Sequence, residues 1–175
     1  MLYACLTMAS GARLSEASAA PGTDFGAEAV FARTHSIAEV IEDLLSTTSR
    51  SIDAALHRFN SQRLAKALVE AHQRGVQIRL MTDRSKFGES AATQRLLSSS
   101  GFSVRVGAGR EGNDSKMHHK FVVLDARLVI TGSYNWTFAS EERNHENVVL
   151  LRDPLVVETY IREFEALWEE SEVVA

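Results

Sequence analysis

The sequence has a single cysteine, Cys5, near its start, so neither an intrachain disulfide nor a cysteine-rich zinc site can form, and the fold must hold by packing alone. It has no run approaching the roughly 18 consecutive apolar residues that a membrane-spanning helix needs, which predicts a soluble chain without stable membrane insertion. No internal repeat is visible. No Asp, Glu or His cluster has metal-ligand spacing, so no metal and no other cofactor is expected. The chain also lacks an excess of basic charge: its net charge is -4. That total argues against a polyanionic partner, but it hides an uneven distribution. Residues 1–71 carry 6 basic and 8 acidic side chains, residues 72–127 carry 10 and 5, and residues 128–175 carry 3 and 10. If the middle third lines a groove, its local field attracts phosphate despite the acidic total. A solvated mixed surface would give the same counts.

What is present fits one globular domain, with 175 residues, 45% of them hydrophobic and 24% charged. Residues 1–34 are rich in Ala, Ser and Gly and show no sustained period, so they are expected to lie outside the core as a leader, with the domain spanning 35–175. Ala17-Ser18-Ala19 resembles a small-residue cleavage site, although the apolar stretch Met1–Met8 is short and has no basic flank before it. If residues 1–20 are a signal segment the protein is periplasmic or secreted; otherwise it is cytoplasmic with a disordered leader.

From Ser36 onward the pattern sharpens. Ser36 and Glu39 form a capping box, and Ile37, Val40, Ile41, Leu44 and Leu45 follow at helical spacing. A strand is expected over Ser51–Phe59, a helix over Gln62–Arg74 ended by Gly75, and a strand over Val76–Thr82. A helix over Ser90–Ser100 ends at Gly101, and a short strand covers Phe102–Val106. After a polar loop at 107–116 come strands at His119–Leu124 and Arg127–Thr131, joined by a tight Asp125-Ala126 link, and another at Asn147–Leu151. Asp153-Pro154 opens a last helix with Val157, Tyr160, Ile161, Phe164, Leu167 and Trp168 on one face. This order predicts an α/β fold, an α/β/α sandwich around a mixed β-sheet.

The chemistry concentrates in residues 117–137. His118 and Lys120 are two apart on a strand and share a face, and Ser133 and Asn135 repeat that spacing after the next strand. An imidazole to attack phosphorus, an ammonium to balance oxyanions, and a hydroxyl and an amide to bind them suit a phosphate diester. Gly132 lets the backbone approach closely. His119 has the opposite parity and is expected in the core. A partly exposed structural role is the first reading for His57, and reaching the groove the second. Trp136 and Phe138 suit either base stacking or the core. Arg58, Arg84, Lys86, Arg110, Lys116 and Arg143 suit either a phosphate backbone or ordinary surface charge.

The pattern His118-x-Lys120-x4-Asp125-x6-Gly132-Ser133-x-Asn135 resembles the HKD signature of the phospholipase D superfamily, in particular its small single-motif, nuclease-like branch. Members similar to this chain are a chelator-tolerant bacterial endonuclease and mitochondrial phospholipase D, or Zucchini. The cysteine-rich insertion and membrane anchor of the Zucchini type have no counterpart here. Asn144-His145-Glu146-Asn147 resembles the family's orienting-glutamate segment, and the likeness extends from Ser36 to about Glu170.

The resemblance implies a metal-independent phosphodiesterase in which His118 forms a phosphohistidine. His118 of a second subunit protonates the leaving group, making the active form a homodimer. Lys120, Ser133 and Asn135 would bind oxygens, and Glu146 would accept a hydrogen bond from the far ring nitrogen of His118. Asp125 is counted in the family motif, although its parity and its place at a turn point to a supporting role. Arg58, Lys116, Trp136 and Arg143 are candidates for substrate binding. The substrate expected first is nucleic acid, DNA or RNA; the alternatives are a phospholipid such as cardiolipin, and an inactive nucleic-acid-binding module.

Overall fold

The computed structural model describes residues 26–112 and 114–174. Its centre is one eight-stranded mixed sheet in the order β1-β7-β6-β5-β2-β3-β4-β8. The strands are β1 (Ala27–Phe31), β2 (Ser51–Leu56), β3 (Gln77–Asp83), β4 (Ser103–Gly107), β5 (Lys120–Leu124), β6 (Leu128–Gly132), β7 (Asn147–Leu151) and β8 (Glu172–Val173). The helices are α1 (Ile37–Thr47), α2 (Gln62–Gln73), α3 (Arg84–Gly88), α4 (Ala91–Ser98), α5 (Phe138–Glu142) and α6 (Pro154–Glu170). Strands β2, β3 and β4 run parallel, and every other pairing is antiparallel. The expected mixed sheet flanked by helices is therefore present.

The helices start where a short polar side chain can accept a free backbone N–H of the first turn. Ser36 accepts from Glu39, Ser61 from Leu64, Ser90 from Thr93, and Asp153 from Leu155 and Val156. Gly75 and Gly101, both at positive φ, stop α2 and α4. One sheet face packs Ile52, Ala54, Leu80 and Val122 against Ile41 and Leu45 of α1, Leu64 and Leu68 of α2, and Leu97 of α4. The other packs Ala55, Met81, Phe121 and Val123 against Val157 and Phe164 of α6. Each fully buried Leu or Ile in these layers contributes roughly 1.5–3 kcal/mol, enough to fix which face of each strand looks inward.

The expected domain boundary is corrected. Residues 27–31, taken as leader, form the edge strand β1, whose Val30 pairs with Val148 of β7 and is buried. Only one of its five side chains is buried, too few to make a period in the sequence. Cys5 and the Ala17-Ser18-Ala19 segment lie outside the described residues. Among the described residues, no helix is long and apolar enough to cross a membrane.

Candidate active site

The parallel strands β2 and β3 end, β5 begins and β6 ends at the same end of the sheet's central strands. The β5–β6 register pairs Phe121 with Thr131, so His118 and Lys120 enter the sheet beside the segment Gly132–Asn135 as it leaves. Beyond the strands that segment is stitched to the end of β2. Asn60 and Ser61 donate backbone N–H groups to the Trp136 carbonyl at 2.9 and 3.1 Å, and Phe138 N–H donates to Asn60 Oδ1 at 3.1 Å. Between Ser133 and Asn135, Tyr134 is buried and donates its hydroxyl to Glu141 at 2.8 Å. Glu141 also accepts from Ser36 Oγ at 2.5 Å and from Ala38 N–H at 3.1 Å, which ties this loop to the start of α1.

His118 is exposed, and its Nδ1 lies 3.3 Å from Lys120 Nζ. Lys120 also donates to the His118 carbonyl at 2.9 Å. Burial of part of the ring, and then the charges of Lys120 and Lys116, hold the His118 imidazole below the ordinary histidine range, which favours the neutral ring that a nucleophile needs. Burial also lowers the Lys120 ammonium; Glu146 opposes this and Arg58 adds to it.

Glu146 does not take the expected place. Among the described residues its carboxylate accepts from Ser133 Oγ and from Asn144 Nδ2, the latter at 2.9 Å, with no bond to His118. The reason is strand order. Glu146 enters β7, and β6 stands between β7 and β5, a separation of about 9–10 Å across two strand spacings. Within one chain it therefore orders Ser133 and sets the field at Lys120.

Asp125 stands apart from the other motif residues. It lies at the far end of β5, five extended residues from Lys120, or about 16 Å along the strand. Its carboxylate accepts the backbone N–H groups of Ser49, Arg50 and Ser51 at 3.1, 2.7 and 3.0 Å. Burial pushes its pKa up, but these bonds outweigh burial and leave it below the usual carboxylate range. Asp125 and Ala126 both adopt φ 53°, the tight hairpin turn linking β5 to β6. Asp125→Ala is therefore expected to cost roughly 2–3 kcal/mol, as charged hydrogen bonds to these amides are lost. Denaturant melting checks this, and an unchanged midpoint would refute the clamp. Because the folded carboxyl is depressed, its stabilisation is complete above the ordinary carboxylate pKa and fades as pH falls through the folded value.

The candidates for substrate binding divide. Arg58 is exposed and lines a cavity of about 210 Å³ with Asn60, Thr82, Lys86 and Glu89. Lys116 is exposed in a second cavity of about 680 Å³ that includes Arg110, His118, His119 and Glu163. Arg143 is exposed, with its guanidinium 5.6 Å from the Phe138 ring. Trp136 is not available for stacking: it is 2% exposed and packs on Phe59 at 5.9 Å, because its backbone continues the core edge beside β2. His119 is exposed and not in the core; it lies just before β5, against Phe121 and 3.4 Å from Glu163.

Two further residues stand at the site. Buried Asp83, at the end of β3, accepts from Met117 N–H at 3.0 Å and thereby fixes the residue before His118. Burial raises its pKa, but bonds from Ser85, Lys86 and Met117 hold it lowered, leaving a fixed negative charge under the site. His57 is buried rather than partly exposed, and its ring centroid lies 4.3 Å from that of His118. Among the described residues no group of three or more His, Cys, Asp or Glu side chains is placed to hold a metal ion.

This arrangement has counterparts among known proteins. Residues 41–168 match the family described as cardiolipin synthase, PLD-like domain. A mitochondrial cardiolipin hydrolase from Xenopus tropicalis is 37% identical over 127 residues, 73% of this chain and 59% of its own length. The chain thus spans a little over half the length of the curated relatives it matches. Among solved structures, Nuc from Salmonella typhimurium, described as a phospholipase D family member, superposes with a TM-score of 0.76 at 24% identity, covering 85% of this chain and 97% of that one. NucT from Helicobacter pylori gives 0.76 at 17% identity, covering 85% and 100%. At these identities the two structures speak for the fold.

Proposed function

Because the chain belongs to the phospholipase D superfamily, through the PLD-like domain that residues 41–168 match, we propose that it is a metal-independent phosphodiesterase that cleaves nucleic-acid phosphodiester bonds through a phosphohistidine on His118. The observation that carries this reading is the exposed His118 imidazole held 3.3 Å from the Lys120 ammonium where the chain enters β5. When a phosphate arrives, Lys120 exchanges its contact with Nδ1 for a nonbridging oxygen, and Ser133 and Asn135 supply further donors. Asn135 Oδ1 is buried without a partner among the described residues, so this amide is not committed through that atom to internal bonds.

In the first step a bond forms from the imidazole nitrogen to phosphorus and the P–O bond to the leaving group breaks. The leaving oxygen takes a proton from His118 of the partner subunit. In the second step water attacks phosphorus, the N–P bond breaks, and that second imidazole takes up the water's proton. One such histidine per motif makes a two-fold homodimer the simplest closed solution.

A polymeric substrate is favoured by the basic side chains in the two cavities, Arg58 in one and Arg110 and Lys116 in the other, while Lys86 is paired with Glu89, and Glu111, Glu163 and Glu170 share the second lining. The exposed large apolar side chains among the described residues, Phe31, Phe138, Leu155 and Val173, lie on four different elements. A second reading, hydrolysis of a phospholipid at the same site, is favoured by the cardiolipin hydrolases among the relatives. Both are tested by incubating the protein with labelled single-stranded DNA, duplex DNA, RNA and cardiolipin vesicles in excess EDTA. Cleavage of nucleic acid in chelator is the expected result, since Lys120 supplies the cation that a metal would otherwise bring. Turnover of cardiolipin alone would transfer the chemistry to lipid, and abolition by EDTA with rescue by magnesium would overturn the mechanism.

A further inference from the structure

A buried histidine ordinarily satisfies its ring nitrogens, and even half-buried His72 meets the Val76 carbonyl with its Nδ1 at 3.4 Å. His57 does not. It is 5% exposed, and among the described residues neither Nδ1 nor Nε2 has a hydrogen-bond partner. Each such omission costs about 1–3 kcal/mol. Its backbone, by contrast, is held from both sides: its N–H donates to the His119 carbonyl at 2.8 Å, and its own carbonyl accepts from Thr82 Oγ1 at 3.5 Å. The side chain is thus fixed by its backbone and by ring contact, and the ring it meets is that of His118, at 4.3 Å and tilted by 50°.

We infer that His57 is a positioning residue, whose ring forms the surface against which the His118 imidazole is held where the chain enters β5. The inference rests on the reading of His118 as the nucleophile. His118 precedes β5 and is exposed, and among the described residues its ring has a polar contact with the Lys120 ammonium, on a long flexible stem. A single bond of that kind leaves the ring free to turn about its Cβ–Cγ axis. A rigid face beneath it restricts that turn, and in-line attack on phosphorus depends on where the ring lone pair points.

The floor must also stay uncharged, since a second imidazolium so close would oppose Lys120 and Lys116. Burial, and then His118 and Lys120, bring the His57 pKa down to about 4. The charged and titratable groups bearing on this pair are Lys116, His119 and Lys120 from the β5 approach, Asp83 from β3 and Arg58 from the end of β2. An aromatic face satisfies the geometry, so the nitrogens of His57 are not themselves required.

The test compares wild type with His57→Ala and His57→Phe by kcat, KM and the pH profile of kcat/KM, and by NMR titration of the His118 ring without substrate. For His57→Ala, kcat is expected to fall by about 10- to 100-fold with KM within about twofold. Water then reaches His118, and its titration and the acid limb of the profile both move up towards the ordinary histidine value. His57→Phe, which keeps a ring, should recover most of kcat. A folded His57→Ala protein with wild-type kcat and an unmoved His118 titration overturns the proposal, as does a loss confined to KM. If the alanine variant fails to fold, His57→Gln, polar but without a ring, takes its place with the same two outcomes. The substrate-free titration separates this proposal from the nucleophile assignment, which fails instead if His118→Asn remains active.

Discussion

Replacing His118 with Asn is expected to abolish turnover while leaving nucleic-acid binding nearly unchanged. Under the proposed mechanism the substitution removes the nitrogen that bonds phosphorus and, in the other subunit, the acid that protonates the leaving oxygen. Acid–base work alone is typically worth about 10²–10⁴ in rate, and loss of the nucleophile adds to it. Binding is expected to persist because the charges of Lys120, Lys116 and Arg58, which act on the His57–His118 pair, are kept. A sharper result is expected on mixing the mutant 1:1 with wild type under conditions of subunit exchange. About three quarters of closed two-fold dimers then lack one or both histidines, so activity per wild-type chain falls by about half. Constant activity per wild-type chain, with exchange shown independently, would refute a shared site. So would light scattering that finds an active monomer near 19.3 kDa.

The second large effect is expected at Gly132, where no side chain fits. A Cβ there would overlap the Asn147 carbonyl oxygen and approach Val148 Cα to 2.9 Å. Both belong to the backbone of β7 and cannot swing aside. The same junction carries the bond from Ser133 N–H to the Asn147 carbonyl and the bond from Asn147 N–H to Ser133 Oγ, each 3.1 Å. Gly132→Ala must therefore part β6 from β7 and carry Ser133 away from the phosphate site. Overpacking of this kind costs about 1–3 kcal/mol, a fall in Tm of roughly 2–12 °C for a chain of this size. Turnover measured well below the melting temperature should drop by about tenfold or more, because a misplacement near 1 Å is enough. A Tm and a kcat both equal to wild type would show that the two strands yield more easily than their packing indicates.

The elements legible in the sequence are those whose local pattern repeats. Ser36, Ser61, Ser90 and Asp153 sit before helices long enough to show their period, and β2, β3 and β5 carry dense apolar runs. The short α3, α5 and β8 do not span enough residues to show one, and β1 buries only Val30. At the site, parity alone pairs His118 with Lys120 and Ser133 with Asn135. The contacts of His57 and Asp83 with the His118 segment arise because β5 lies next to β2 and β2 next to β3, and no local spacing encodes that order. The same order defeats the expected bond from Glu146, which lies one strand too far away. Trp136 was ambiguous because an aromatic after a buried strand fits a core and a stacking surface equally; its pairing with Phe59 decides for the core.

The assembly of this end of the sheet from β2, β3, β5 and β6 has a consequence for how activity appears during folding. His57, Asp83, His118 and Ser133 come from segments well separated along the chain, and their meeting requires non-local pairings that form slowly, after loop-closure entropy has been overcome. No early hairpin such as β5–β6 contains the set, although it carries His118, Lys120 and Ser133 at its ends. Catalytic competence should therefore emerge in the last kinetic phase of refolding, together with burial of the β2–β5 seam, and a nascent or partly unfolded chain would meet phosphodiesters without cutting them.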